Sequence, residues 1–425
     1  MKKIIIISYF FPPSNFVGGE RTKAWSEHLF ENGIYPIIIT RNWNENQNDL
    51  VDKLTTNEYS VESTDSCEIR RMPYRRSLRD RLSKYRWLKP LQKLLTLKEV
   101  ILSNYSLRSL PYSNFYNEAK SILAKDKEVI GVICSGRPFQ SFFIGHQLKK
   151  EFNTLWIPDY RDEWTTHKHH ESNGLLWKWI NKLERKSELK WTSNADAFMS
   201  VSEPWKNTIE KLIGRKGHVI LNGYASLHEP KIKQSSDHLL ITYAGTLYPS
   251  QNIDILLKSV EEINLEKLRI KLRFIGVSIL PSELDRLKSN TSSYGKYVEF
   301  MDRVPKNEIQ GLLEESDLLY LTSFEDIKGW YPVKLFEYYA SGIPILLCPS
   351  DQNVMQEFIE KSNSGYVANS ITECKQLLLE IIDKTKSGDL QLTRNIEYGN
   401  LFSRKYQSKE LANLLTTLSD LSMKS

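Results

Sequence analysis

The sequence predicts an α/β protein made of two similar halves, each a parallel sheet covered on both faces by helices. Two observations point there. Short, fully apolar runs alternate with longer amphipathic ones along the chain, as strands buried between crossover helices do. A polar stretch at residues 226–238 then splits the alternation into two series. A length of 425 residues with 40% hydrophobic content suits two domains with real cores.

The first series opens with a strand at residues 4–8. The start Met1-Lys2-Lys3 with four isoleucines superficially resembles a secretory signal. Pro12-Pro13 and Gly18-Gly19 follow without a small-residue cleavage site, so a buried strand is expected instead. A loop runs to about Glu20. A helix then places Ala24, Trp25, His28 and Leu29 on one face and closes at Gly33. Further strands are expected at 37–40, 129–134, 154–158, 197–201 and 219–221. The second series places strands at 239–244, 272–275, 297–300, 318–321 and 343–348, with a short edge at 365–367. The expected domains are therefore 1–228 and 229–401, with an amphipathic helix over about 402–425 packing back on the first. Two Rossmann-like halves with one linker leave a cleft, and ligands of open α/β sheets sit at the carboxyl ends of strands.

Composition narrows the function. The net charge of +6 is a mild excess and does not imply nucleic acid. No apolar run is long enough to span a bilayer. Cys67, Cys134, Cys348 and Cys374 are widely spaced and form no metal or redox pattern, which points to a reduced, cytosolic chain.

The stretch from Trp330 to Pro344 is the most informative. Pro332 suits a first helical turn and Gly342 a left-handed stop. Lys334 and Glu337 share a face of the short helix between them. Tyr331 is a poor N-cap, so the first amides are available to an outside anion. A helix N-terminus, a lysine in its first turn and a carboxylate one turn on form a nucleotide-diphosphate cradle. At ~1.5 Å rise per residue, Glu337 lies roughly 7 Å along the axis from Pro332, where a ribose beyond a diphosphate would sit.

Other candidates end strands. In the loop from Tyr9 to Arg21, Gly18 and Gly19 let a backbone approach a ligand, and Arg21 is placed for an anion or a carboxylate. The loop lacks a GxGxxG fingerprint, which disfavours NAD. Arg137 follows one strand, and Asp159, Arg161, Asp162 and Trp164 follow the next. Their charges read either as an internal Asp–Arg salt bridge or as a general base or acceptor-hydroxyl ligand. Asn222-Gly223 and Gly245-Thr246 read as strand-to-loop turns. His167, His169, His170 and Glu171 read as a solvated loop, since they lack the spacing of metal ligands. Residues 69–98 are strongly basic with interleaved aromatics and leucines, for example Arg75, Arg76, Arg79, Arg81, Tyr85 and Trp87. That tract reads either as a solvated helix or as a dock for an anionic membrane. No nucleic-acid motif accompanies it.

Taken together, these motifs resemble the GT-B glycosyltransferases, in particular the retaining family 4 type of bacterial surface-polysaccharide synthesis. The resemblance rests on Phe11-Pro12-Pro13 with Gly18-Gly19, on Asp159-Tyr160-Arg161-Asp162-Glu163-Trp164, on Asn222-Gly223 and Gly245-Thr246, and most specifically on Lys334, Glu337-Tyr338, Ala340, Gly342 and Pro344. It implies two Rossmann-like domains facing each other across a cleft. A UDP- or GDP-linked sugar would be held by Gly18, Gly19, Arg21, Gly245, Thr246, Tyr331, Lys334, Leu335 and Glu337, with Glu337 on the ribose and Lys334 on the diphosphate. A lipid-linked or saccharide acceptor would meet Asp159, Arg137 and Trp164. Asp162, Arg161 and Glu337 would serve catalysis with retention of configuration, the leaving diphosphate helping to deprotonate the acceptor. No metal or other cofactor is implied, in agreement with the lack of an Asp-x-Asp site. The chain would work in the cytoplasm, at the inner face of the membrane. It departs from the family in two places. Gly329 stands where the first of a glutamate pair is usual. Tyr248-Pro249-Ser250-Gln251-Asn252 replaces the usual Arg and Lys, leaving Lys334 to take over the phosphate charge. Two other readings stay open: a non-catalytic sugar-nucleotide-binding subunit, and a nucleotide-sugar epimerase on the same fold.

Overall fold

The protein is described by a computed structural model covering residues 1–14, 16–43, 58–166, 174–229, 236–291, 297–387 and 392–422. The chain divides into two units, Met1–Asn222 with Arg404–Ser425, and Gly223–Ser403. The boundary expected at 228/229 falls inside the second unit.

The first unit holds a sheet in the order β3-β4-β2-β1-β5-β6-β7-β8. Its strands are β1 (Lys2–Ser8), β2 (Ile34–Arg41), β3 (Ser60–Ser63), β4 (Glu68–Met72), β5 (Val129–Ser135), β6 (Leu155–Tyr160), β7 (Phe198–Ser200) and β8 (Gly217–Val219). All pairings are parallel except β3 with β4. Ile4, Ile5, Ile6 and Ile7 of β1 are each 0% exposed, which is why an unbroken isoleucine run works here: both faces of the central strand are covered. The core gathers Trp25, Leu29, Ile34 and Ile157, together with Leu411 and Leu415 of the C-terminal helix Arg404–Ser422. That helix packs on the helix Glu20–His28. Arg404 pairs with Glu20 at 2.9 Å, and Gln407 accepts the Leu221 N–H at 2.7 Å.

The edge formed by β3 and β4 was not expected. β3 is exposed at every residue, so no alternation marks it. A short, charged edge strand of this kind also resists pairing with other chains. The basic tract at 69–98 begins within β4. Arg70 pairs there with Glu68 and Glu118, and Arg71 with Glu62. Its remainder forms the helix Leu78–Leu82 and most of the helix Lys89–Ser103.

The second unit holds an all-parallel sheet in the order β11-β10-β9-β12-β13-β14. Its strands are β9 (Leu239–Ala244), β10 (Ile270–Ile275), β11 (Val298–Met301), β12 (Leu318–Leu321), β13 (Ile345–Leu347) and β14 (Gly365–Val367). Ile241, Tyr243, Leu256, Val260, Phe274 and Tyr320 belong to its core. The chain winds outward from β9 to β11, then returns to β12 beside β9. The strand order reverses between those two neighbours, and such a switch point opens a crevice outside the carboxyl ends. Among the described residues, no helix is long and apolar enough to cross a membrane.

Candidate active site

The switch point of the second unit is bordered by the turn after β9 and by the helix Val333–Ser341 that follows β12 and its loop. Gly342 ends this helix in the left-handed region at φ 79°, as the sequence predicts. Pro332 stands one place earlier than expected. It is the N-cap, with ψ 141°, and no side chain caps the helix. The Leu335 N–H donates to the Pro332 carbonyl at 3.0 Å. Among the described residues, the amides of Val333 and Lys334 have no acceptor. An open pair of amides on a helix macrodipole is suited to an anion.

Lys334 supplies the cation. Its Nζ donates to the Tyr243 hydroxyl at 2.7 Å and lies 4.0 Å from the centre of that ring. The Tyr243 hydroxyl in turn donates to the Thr246 carbonyl at 2.7 Å, so strand, turn and lysine form one chain of hydrogen bonds. Among the described residues, Lys334 has no ion-pair partner. Burial pushes its pKa down from 10.5 to about 7, while the Glu337 carboxylate pulls it up. This ammonium is held in place by a hydroxyl and a ring, with the Glu337 carboxylate acting on it without an ion-pair contact, and a phosphate would supply one.

Gly245 fits this arrangement for two reasons. Its φ of 111° is closed to ordinary side chains, and a Cβ there would lie 3.4 Å from Lys334 Nζ. A Cβ on Gly276, which follows β10 at φ 76°, would stand 3.9 Å from Gly245 Cα and 3.8 Å from Arg303 Cα. Arg303 is exposed at the carboxyl end of β11 and was not singled out in the sequence. Tyr338 was also missed as a positioning group. Its hydroxyl accepts the Ala244 N–H at 2.8 Å, tying the helix to the end of β9. It lies one turn after Lys334, and that spacing was the available signal.

The other donor candidates of this unit divide. Glu337 is exposed. Tyr331 is half-buried and packs its ring on Phe336 and Phe402. Leu335 is corrected: its side chain is 0% exposed and its amide is spent on Pro332, so it holds the helix in place rather than touching a ligand. Gly329, at the position of the missing glutamate, adopts φ 77° and donates its N–H to Asn353 at 3.0 Å, which makes it a turn residue.

In the first unit, the carboxyl ends of β1, β5 and β6 carry the candidates. Arg21 is corrected from ligand to structural clamp. It is 3% exposed and spends its guanidinium on the Asp159 carboxylate (3.0 and 3.2 Å) and on the Ile220 and Leu221 carbonyls (2.6 and 2.9 Å). Asp159 is 0% exposed and also accepts the Ser135 hydroxyl at 3.0 Å. It is therefore sealed away from an acceptor. Of its two readings the internal salt bridge stands, with Arg21 as the partner. Trp164 is corrected too. At 4% exposed it stacks between Phe139 and Trp191, with centroids at 5.0 and 5.6 Å, and its indole N–H donates to Glu184 at 3.3 Å.

The two glycines let neighbouring protein groups come close. A Cβ on Gly18 would stand 2.1 Å from Arg161 Nη1, and one on Gly19 would stand 3.1 Å from Phe11 Cα. Arg161 donates to the Gly136 and Arg137 carbonyls. Among the described residues it has no ion pair, and burial pulls its pKa below the usual arginine range. Asp162 is half-exposed and pairs with the exposed Arg137 at 3.4 Å, a surface contact worth little in stability. Asp162 and Arg137 are thus the polar groups of this loop cluster that reach the surface, while Arg161 is half-buried. His167, His169, His170 and Glu171 lie outside the described residues.

The two-unit α/β fold with parallel sheets matches GT-B glycosyltransferase structures. Residues 238–384 match the family model "Glycosyl transferases group 1". Among solved structures, the chain is similar to sucrose-phosphate synthase from Thermosynechococcus elongatus, with TM-score 0.66 and 14% identity over 99% of this chain and 100% of that one. The apo form of the lipopolysaccharide outer core galactosyltransferase WaaB matches with TM-score 0.55 and 14% identity, over 98% of this chain and 99% of that one. Anabaena HepE in complex with UDP and glucose matches with TM-score 0.53 and 11% identity, over 100% and 99%. No curated protein matches the chain in sequence.

Proposed function

We propose that the protein is a retaining glycosyltransferase of the family 4 type. It moves a sugar from a UDP- or GDP-linked donor to a lipid-linked or saccharide acceptor in cell-surface polysaccharide synthesis, at the inner face of the cytoplasmic membrane. The observation that carries this is the Lys334 ammonium, without an ion pair among the described residues, held beside Gly245 and the open helix start. Those groups bind the diphosphate, and Glu337 binds the ribose hydroxyls. As the bond from the anomeric carbon to the diphosphate breaks, the acceptor oxygen bonds to that carbon from the same side. The acceptor proton passes to the departing phosphate oxygen, whose charge Lys334 and the helix dipole stabilise. Asp162 and Arg137 serve the acceptor. The UDP and glucose bound in Anabaena HepE, and the description of WaaB as a lipopolysaccharide outer core galactosyltransferase, support the substrate class.

Lys334→Ala and Glu337→Ala should each lower turnover at least about tenfold, with circular dichroism unchanged. Full activity in both variants refutes the assignment. A thermal-shift screen of UDP-, GDP-, CMP- and dTDP-sugars identifies the nucleotide, because a bound donor stabilises by mass action. Gly329 favours one other reading, a subunit that binds sugar nucleotide without transferring it. Such a protein would be stabilised by UDP yet transfer to no acceptor.

A further inference from the structure

The helix Lys89–Ser103 is built inside out. On a water-soluble domain the apolar stripe of a surface helix faces the core. Here Leu91, Leu94 and Leu102 recur at helical spacing and are 41, 63 and 41% exposed. Trp87 before the helix and Tyr105 after it are 78 and 65% exposed. The opposite side is the packed one. The Gln92 amide donates to the Leu82 and Tyr85 carbonyls, and Glu99 pairs with Arg79. Around the stripe the tract holds Arg75, Arg81, Lys84, Lys89 and Lys93, and Lys98 lies within it between Leu94 and Leu102, all exposed. The acids of residues 69–105 are Asp80 and Glu99, and Arg79 holds both. The charge this surface shows to solvent is therefore positive around an apolar centre.

We infer that this helix inserts its leucine stripe into the interface of an anionic lipid bilayer, with Trp87 and Tyr105 at headgroup level and the lysines and arginines on lipid phosphates. An apolar stripe with cationic flanks and terminal aromatics matches that environment in both chemistry and charge. A second copy of the chain matches it poorly. A two-fold axis through the stripe would set the basic border against itself. The inference rests on the reading of a membrane-bound, lipid-linked acceptor. It is tested without turnover, so its failure leaves the donor chemistry standing.

All four native cysteines are buried, so a Leu94→Cys variant accepts an environment-sensitive fluorophore at that site alone. Its emission should shift to the blue with phosphatidylcholine vesicles containing phosphatidylglycerol, and stay unshifted with phosphatidylcholine alone. In vesicle sedimentation, Leu91→Glu/Leu94→Glu should lower partitioning at least about tenfold. Lys93→Gln and Lys98→Gln should each lower it about fivefold at low salt. Nucleotide-induced thermal shifts should match the wild type in every variant. Equal partitioning of the leucine variant, or no preference for anionic lipid, overturns the inference. So does a concentration-dependent dimer, in sedimentation velocity, that the leucine variant abolishes; that outcome would make the stripe a contact between copies.

Discussion

Lys334 predicts an unusual pH dependence of nucleotide binding. Its ammonium sits against the Tyr243 ring with no ion pair among the described residues, and burial brings its pKa from 10.5 to about 7. A bound diphosphate adds a contacting counter-charge and returns the pKa toward the ordinary value. Between about pH 7 and that restored value, binding must therefore take up a proton. Affinity should fall about tenfold per pH unit, or about 1.4 kcal/mol. The nucleotide's own terminal phosphate ionises near pH 6, so above about pH 7.5 the slope belongs to the protein. Calorimetric titration of UDP and GDP from about pH 7.5 to 9, in two buffers of different ionisation enthalpy, measures both the slope and the proton. Lys334→Met should weaken binding at pH 7.5 by about 1.5–3 kcal/mol, as for a lost charged hydrogen bond, and flatten the slope. The free protein should show the opposite trend. A lysine with a depressed folded pKa leaves the unfolded chain holding more protons from about pH 7 up to 10.5, so stability rises with pH through that window. A flat affinity in the wild type, or a slope that survives in Lys334→Met, refutes the reasoning.

Other substitutions separate site from scaffold. Gly245→Ala meets both a φ of 111° and the Lys334 ammonium, and should cost about 1–3 kcal/mol in urea unfolding while raising the donor KM. Tyr338→Phe leaves the Ala244 N–H without its acceptor, at about 1–3 kcal/mol, and should raise donor KM more than it lowers kcat. Asp159→Asn breaks a pair whose side chains are 2% and 0% exposed, and should cost about 3–5 kcal/mol. The Asp159→Asn protein that remains folded should bind nucleotide as the wild type does, since the clamp touches no ligand.

Much of the fold is legible because its signals are local. The isoleucine run of β1 and the glycine closing the helix at Gly342 each act within a few residues of themselves. The charged loop after β6 shows where such reading stops. Asp159, Arg161 and Asp162 look alike in the sequence, yet one is sealed, one fills the space beside Gly18 and one reaches the surface. What separates them is a partner far along the chain, Arg21, whose distance no pattern announces. Leu335 and Trp164 went astray for the same reason, since each sits in a motif beside groups that face outward. The helix start at Val333 was readable apart from the place of Pro332, because an unfilled cap is a property of residue types. The depressed pKa of Lys334 was not readable, because it depends on burial. The basic tract was legible as charge and illegible as shape: its first arginines are tied down in β4, and its leucines point outward.

The return of the last helix to the first unit makes residues 223–403 an insertion in the covalent order of the other unit. A premature stop that removes the final twenty or so residues would strip Leu411 and Leu415 from a core formed mostly by the opening third of the chain. The damage would fall on the unit farthest away in reading order. By the same connectivity the inserted segment could be exchanged as a cassette, so that a gene could replace the second unit while keeping the first.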